Sequence, residues 1–284
     1  ITLKPDFKPL CRQPYRIAHD LRDSVRQQID LLLDQKIIEP GKNLMMCSPL
    51  IAVRKNVKKS RKHMNESHTP SPSSVRIVVD MRYVNSQCLY PKHEIVSLTS
   101  ILDVLAEAKA QVYSILDMKH GYLQIGLSDE SKPVTGFLYE GQAYQFTRLT
   151  QGLSGSPMAF MQRLTSLFRD YMNKFMTIYL DDILIFSDSM DSHKEHLAKV
   201  LSRIEQYNLK LSPSKCTFAT HRAHYLGHII CSSGISPSDD HIRAIKAMPE
   251  PENVEELRSR LGLYNFFHSF IPNRAKLMAP LTHL

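Results

Sequence analysis

The stretch Phe175 to Phe186, Phe-Met-Thr-Ile-Tyr-Leu-Asp-Asp-Ile-Leu-Ile-Phe, constrains this chain more than any other. Mostly apolar, β-prone residues lead to Leu180, two adjacent carboxylates follow, and four apolar residues close the run. Two such runs joined at a polar pair predict a β-hairpin buried on both faces, with Asp181 and Asp182 at its tip. Neighbouring anions in apolar surroundings are unfavourable unless a cation offsets them. Asp is also a common turn residue. From this stretch alone, a solvated Asp-Asp turn is the simpler reading.

The rest of the chain changes that balance. With 284 residues and 43% hydrophobic content, one or two domains with a substantial core are expected. No apolar run reaches the ~18–20 residues of a membrane-spanning helix. The start, Ile-Thr-Leu-Lys-Pro-Asp, is not a signal peptide and lacks an initiator Met, so a piece of a longer protein is expected. A formal charge of +8 and a pI near 9.2 suit a polyanionic partner, nucleic acid first. Five widely spaced cysteines (Cys11, Cys47, Cys88, Cys216 and Cys231) predict free thiols in a reducing compartment.

In order, Ile17, Leu21, Val25, Ile29 and Leu33 recur at four-residue steps and predict an amphipathic helix ending near Pro40-Gly41. Strands are expected at 49–53 and 75–80, joined by a basic loop over 54–74. Six of the ten residues from Arg54 to His63 are Lys or Arg. That run reads as a solvated face, a nuclear-localisation patch or a phosphate-contacting fingertip. A helix over 100–110 precedes a strand delivering Asp117. Residues 122–127 alternate as a strand should, and 136–146 predict a hairpin turning at Glu140-Gly141. Ser156-Pro157 starts a helix. Ser192 to Glu195 reads as a capping box opening another. Strand-like segments follow at 209–212 and 223–230, and further helices start at Ser236-Pro237 and Asn253. The fold class is α+β.

Asp117, Asp181 and Asp182 thus follow strand-like segments. Converging carboxylates suit Mg²⁺, and two such ions ~3.5–4 Å apart can clamp the attacking and leaving oxygens of a phosphoryl displacement. The ordered motifs then extend over nearly the whole chain: Asp117-Met-Lys-His-Gly-Tyr122, Leu149-Thr-Gln-Gly-Leu-Ser-Gly-Ser-Pro157, Tyr179-Leu-Asp-Asp182, Leu211-Ser-Pro-Ser-Lys-Cys216 and Tyr225-Leu-Gly-His228. The tail, Glu256 to Leu263 and Ala279 to Thr282, adds to them. Together they resemble the reverse transcriptase of gypsy-type LTR retrotransposons and their retroviral relatives.

The resemblance implies a right-hand polymerase fold. Residues 1–90 would form the N-terminal segment and fingers, 91–124 the first part of the palm, and 125–155 a second part of the fingers. Residues 156–232 would complete the palm, and 233–284 form a partial helical thumb. It implies Asp117 and Asp181 as main ligands of two Mg²⁺ ions, with Mn²⁺ as an alternative, and Asp182 as a less direct third acid. The Met118 carbonyl would help hold the nucleotide-side metal. Tyr122 would exclude a 2′-hydroxyl. Lys55 and Arg76 would contact the triphosphate, and Arg suits this because its planar fork pairs two oxygens. Gln151 and Gly152 would line the nucleotide pocket, Lys215 would be a general acid, and Leu226, Gly227 and His228 would form the primer grip. Asp80, Arg82 and Asn85 read as structural.

The expected partners are RNA and DNA template-primers, dNTPs, and downstream RNase H and other Pol domains absent from this chain. There is room for a dimer, and no membrane is expected. The expected location is a cytoplasmic virus-like particle, with a nuclear stage allowed. The expected activity is RNA- and DNA-directed DNA synthesis without RNA degradation. A catalytically silent nucleic-acid-binding or scaffold module is the alternative, and a Mg²⁺ nuclease a third. Three features depart from the family pattern: a Lys55–Arg76 connection longer by about a dozen residues, Thr150-Gln151, and Val134-Thr-Gly-Phe137. Cys216, His221, His224, His228 and Cys231 lie close in sequence, but their spacing fits no standard zinc finger.

Overall fold

The computed structural model describes residues 1–54, 75–90 and 97–282. Two compact units form. The first holds Ile1–Ile95, Met118–Arg169 and Asn208–Lys210; the second holds Val96–Asp117, Asp170–Tyr207 and Leu211–Leu284.

The chain opens with β1 (Thr2–Leu3), β2 (Leu10–Cys11), α1 (Arg22–Asp34), β3 (Ile38–Pro40), β4 (Met46–Ser48) and β5 (Leu50–Arg54). Then come β6 (Val75–Val79), α2 (Arg82–Gln87), β7 (Cys88–Leu89), α3 (Leu98–Glu107) and β8 (Val112–Asp117). A hairpin, β9 (Gly136–Tyr139) and β10 (Gln142–Phe146), precedes α4 (Ser156–Leu167). The second half runs β11 (Met176–Tyr179), β12 (Asp182–Ser187), α5 (Met190–Gln206), β13 (Thr217–Thr220), β14 (Arg222–Tyr225), β15 (His228–Cys231) and β16 (Gly234–Pro237). Helices α6 (Asp239–Lys246), α7 (Val254–Phe266) and α8 (Arg274–Thr282) follow.

In the first unit a sheet of order β2-β4-β9-β10-β3 packs with α1 around Val25, Ile29, Ile38, Met46 and Phe137. The predicted first helix starts later than its apolar repeat. Ala18 is extended at ψ 140°, so a 3-10 turn at His19–Leu21 leads into α1. It also ends earlier, because Lys36 at φ 54° turns the chain into β3, which pairs with β10. The hairpin at Glu140-Gly141 forms as read, with both turn residues at positive φ. Residues 122–127 are not a strand. His120 at φ 50° starts a 3-10 turn over Gly121–Gln124. The Gln124 side chain then takes backbone bonds that a ladder would have used, donating to the Lys119 and Lys210 carbonyls at 2.6 and 2.9 Å.

The expectation of free thiols fails at one pair. β2 and β4 run parallel with Cys11 opposite Cys47, and the two form a disulfide; Cys88, Cys216 and Cys231 are free. Sequence spacing could not show this, since the two cysteines meet only through strand register.

In the second unit the sheet order is β11-β12-β8-β13, with β14-β15-β16 beside it. Ile183, Leu184 and Ile185 are fully buried, as are Met176 and Ile178 on β11. The predicted capping box shifts by one turn: Ser189 caps α5 and pairs with Ser192. Ser236-Pro237 ends β16, and Ser238 caps α6 instead. Asn253 caps α7 as expected, accepting the Glu256 N–H at 2.8 Å. Residues 209–212 form no named strand, and 223–230 split into β14 and β15 at a turn.

Candidate active site

The acids are placed by the β11–β12 hairpin and its neighbour β8. Tyr179 pairs with Asp182, which leaves only Leu180 and Asp181 in the turn, with Leu180 in the left-handed region at φ 54°. The expectation of two acids at the tip is therefore corrected: Asp181 is in the turn, and Asp182 opens β12. Register then sets Asp182 directly opposite Asp117, the last residue of β8. Burying one large apolar side chain stabilises by ~1.5–3 kcal/mol. Several such residues along β12 offset the ~1–3 kcal/mol cost of an unpaired buried polar atom.

Two such atoms are present. Asp117 Oδ1 and Asp181 Oδ1 are buried and make no hydrogen bond. Lys215 Nζ reaches Asp117 as an ion pair, 3.4 Å from Oδ1 and 3.5 Å from Oδ2. Burial pushes the Asp181 and Asp182 carboxyls above their ordinary range, the charge of Asp117 adds to the shift, and Lys215 opposes it. These acids fit a hard cation, which would take up the oxygens that protein donors leave bare. Among the described residues, no set of three or more His, Cys, Asp or Glu side chains forms a ready-made cage. The Cys216–Cys231 group is spread over other work. For example, His221 Nδ1 pairs with Gln111 O at 2.9 Å, and His228 Nδ1 with Leu226 O at 2.9 Å.

The first unit holds Arg76, Asp80, Arg82, Asn85, Met118, Tyr122, Gln151 and Gly152. Arg76 on β6 is exposed and donates to Gln151 Oε1. Gly152 adopts φ +93°, a conformation that favours glycine, and a Cβ there would sit tightly, 3.3 Å from Val79 O. Asn85 holds this loop: its Nδ2 donates to Gly152 O at 2.8 Å, and its Oδ1 accepts Ser154 N–H at 2.9 Å. Asp80 is buried and held by the Arg82 fork through Nε at 2.8 Å and Nη2 at 2.7 Å. Those bonds drive its carboxyl far below the ordinary range. Tyr122 sets its ring edge-on to the fully buried Phe160, centroids 5.5 Å apart. A Cβ on Gly121 would meet Phe160 Cζ at 2.8 Å. The Met118 side chain is buried. Lys55 lies outside the described residues.

In the second unit Leu226 (φ 49°) and Gly227 (φ 79°) make the turn between β14 and β15. His228 is buried among the rings of Phe266, Phe267 and Phe270, at centroid distances of 5.6, 5.9 and 5.5 Å. Burial pushes its pKa down. It therefore anchors the turn rather than lining its surface. Tyr225, also buried, donates its hydroxyl to the Asp182 carbonyl at 3.2 Å.

A family model described as "Reverse transcriptase (RNA-dependent DNA polymerase)" matches residues 57–230. The chain belongs to this family. It is 31% identical over 276 residues to the retrovirus-related Pol polyprotein from transposon opus of Drosophila melanogaster, covering 97% of this chain and 26% of that protein. It is 29% identical over 279 residues to the corresponding polyprotein from transposon gypsy of the same fly, covering 98% and 26%. The chain thus spans about a quarter of the length of these curated relatives. Among solved structures, the foamy viral protease-reverse transcriptase in complex with double-stranded DNA matches with a TM-score of 0.82 and 25% identity, covering the whole chain and 46% of that protein. The mixed α and β elements are those of the polymerase fold, as the gypsy-type resemblance implies.

Within this reverse transcriptase domain, the second unit brings together Asp117, Asp181, Asp182 and Lys215. The first brings together Arg76, Gln151 and Gly152. Sequence reasoning gave no role to Asn85 beyond structure, to Tyr225, or to Cys216, whose Sγ accepts the Asp117 N–H at 3.4 Å. Tyr225 and Cys216 lay inside quoted motifs, yet their partners are set by register, which spacing does not carry.

Proposed function

We propose that this domain is an RNA- and DNA-directed DNA polymerase that extends a primer with deoxynucleoside triphosphates by two-metal phosphoryl transfer. The observation that carries this reading is the cluster of Asp117 opposite Asp182, with Asp181 in the adjoining turn and two buried carboxylate oxygens lacking hydrogen bonds. Asp117 and Asp181 would hold two Mg²⁺ ions, or Mn²⁺ in their place, with Asp182 as the less direct acid. When bound, these ions supply activation of the primer 3′-hydroxyl and stabilisation of the leaving oxygen.

The remaining residues position substrates, which is the main contribution a protein makes to phosphoryl transfer. Lys215 would give a proton to the departing pyrophosphate. Arg76, with Lys55, would hold the triphosphate in its fork. Gln151, Gly152 and the Met118 carbonyl would bound the nucleotide, and Tyr122, backed by Phe160, would meet a 2′-hydroxyl. The Leu226-Gly227 turn, anchored by His228, would hold the primer end. In this scheme residues 1–90 and 125–155 are fingers, 91–124 and 156–232 palm, and 233–284 a partial thumb. The relatives' names and lengths support a place as one segment of a longer Pol polyprotein, and the domain would work on a template-primer in a cytoplasmic virus-like particle.

The test incubates the domain with a primer on an RNA template, dNTPs and Mg²⁺, beside Asp181→Asn. Extension by the wild type and loss of at least ~100-fold in the variant is expected. Template binding without extension by either protein, and by the full-length polyprotein, would replace this reading with the silent module.

A further inference from the structure

Asp117 ends β8, paired with Asp182 on the β12 side but without a ladder partner on the β13 side. β13 pairs with β8 at Thr220↔Tyr113 and Thr217↔Ile115, with a register shift between, and goes no further. The turn Ser212 to Cys216 takes over from there. Ser212 N–H donates to the Asp117 carbonyl at 2.9 Å, and the Asp117 N–H donates to Cys216 Sγ at 3.4 Å. The thiol in turn donates toward Ser212 O at 3.3 Å. One sulfur therefore closes a ring that links both backbone polar groups of Asp117 to one turn. The same turn carries Lys215, paired with the Asp117 carboxylate. A backbone N–H at a half-buried position needs an acceptor, and no ladder partner supplies one on this side.

We infer that Cys216 is a positioning residue for Asp117, its sulfur fixing the peptide from which the metal-binding carboxylate projects. This rests on the reading of Asp117 as a metal ligand. Among the described residues the Asp117 carboxylate is held only by Lys215, which the same turn carries, so its direction depends on that turn and on the backbone the turn fixes. Ser at position 216 keeps a group that both accepts and donates. Val keeps bulk and loses both functions, and Ala loses both and opens space.

The experiment has two readouts on wild type, Cys216→Ser, Cys216→Val and Cys216→Ala. The first is Mn²⁺ binding to the protein, followed by electron paramagnetic resonance. The second is single-turnover primer extension across a Mg²⁺ titration. For Cys216→Val and Cys216→Ala, Mn²⁺ affinity should fall ~5-fold or more, and the extension rate at limiting Mg²⁺ ~10-fold or more. Primer-template affinity and Tm should stay near wild type, and Cys216→Ser should stay within ~2-fold throughout. Wild-type behaviour of Cys216→Val, or a loss in Cys216→Ser equal to that in Cys216→Val, would overturn the role. If the wild type extends no primer but the Mn²⁺ pattern holds, the polymerase reading falls and the role of Cys216 stands. If the wild type extends and the Mn²⁺ pattern is absent, the reverse holds. A wild type that binds no Mn²⁺ overturns both.

Discussion

Asp181 works against the stability of the domain that carries it. Its Oδ1 is buried without a hydrogen bond, and burial followed by the Asp117 charge raises its pKa. With a raised carboxyl pKa, the folded state binds more protons than the unfolded state across the window between the two values. Stability therefore falls as pH rises from about 4, the unfolded carboxyl value, through the raised folded value. Asp181→Asn should raise Tm at pH 7.5 by an amount equivalent to ~1–2 kcal/mol, and the gain should shrink to nothing below about pH 4. Calorimetry across pH 3.5–8 checks this. Mg²⁺ should raise Tm for the wild type and much less for the variant. At limiting Mg²⁺, activity should fall as pH drops through the raised value, since protonated acids do not bind the cation. Tyr122 makes the second residue-scale prediction: Tyr122→Ala should admit ribonucleotides, with the dNTP/rNTP preference falling ~10-fold or more. Unchanged discrimination in single-nucleotide kinetics would remove Tyr122 from that role.

Helix α5 is tied to the sheet that carries the acids by a buried polar chain. His193, 1% exposed, faces Ser114 Oγ on β8 at 2.7 Å and Ser187 Oγ on β12 at 2.8 Å, and Ser187 also meets His196 Nδ1 at 2.9 Å. Burial, then the neighbouring His196, pushes the His193 pKa down. Here the unfolded state binds the extra proton, so this contribution is complete above about pH 6.5 and fades as pH falls below it. His193→Ala should cost ~2–3 kcal/mol at pH 7.5, because two serines lose a buried partner, and should flatten part of the Tm decline between pH 6.5 and 5. An unchanged pH slope would sink this account. Such links show where a sequence stops being legible. The Phe175–Phe186 hairpin could be read because apolar runs on both sides of two acids allow few other structures. The Glu140-Gly141 turn and the Asn253 cap were legible for similarly local reasons. Residues 122–127 misled because alternation was real but Gln124 had backbone partners 86 positions away at Lys210. The α5 cap shifted because Ser189 and Ser192 both suit the role, and only the observed backbone geometry selects Ser189. Register, which joins Cys11 to Cys47 and Asp117 to Asp182, has no signature in spacing at all.

For the whole molecule, charge is the property that reaches beyond the site. The chain carries +8, and Arg54 to His63 alone holds six Lys or Arg with no acid. The basic run falls largely on residues outside those described, so its role is argued from charge alone. Nucleic acid is a dense polyanion, and each phosphate neutralised by Lys or Arg releases a counterion, so affinity falls steeply with salt. Residues 57–74 contain four Lys or Arg and a single Glu. If these charges meet the template, deleting Val57–Ser74 removes several counterion-releasing contacts. Template-primer affinity should then drop ~100-fold or more at 50 mM salt and only ~2–3-fold at 300 mM, where the Debye length is short. The slope of log affinity against log salt should become shallower by about 2–4, matching the contacts removed. Fluorescence anisotropy on a labelled RNA template-primer measures both quantities. An equal loss at every salt concentration, with a lowered Tm, would instead assign the segment to folding of the first unit. Unchanged affinity would leave its charges as a solvated face.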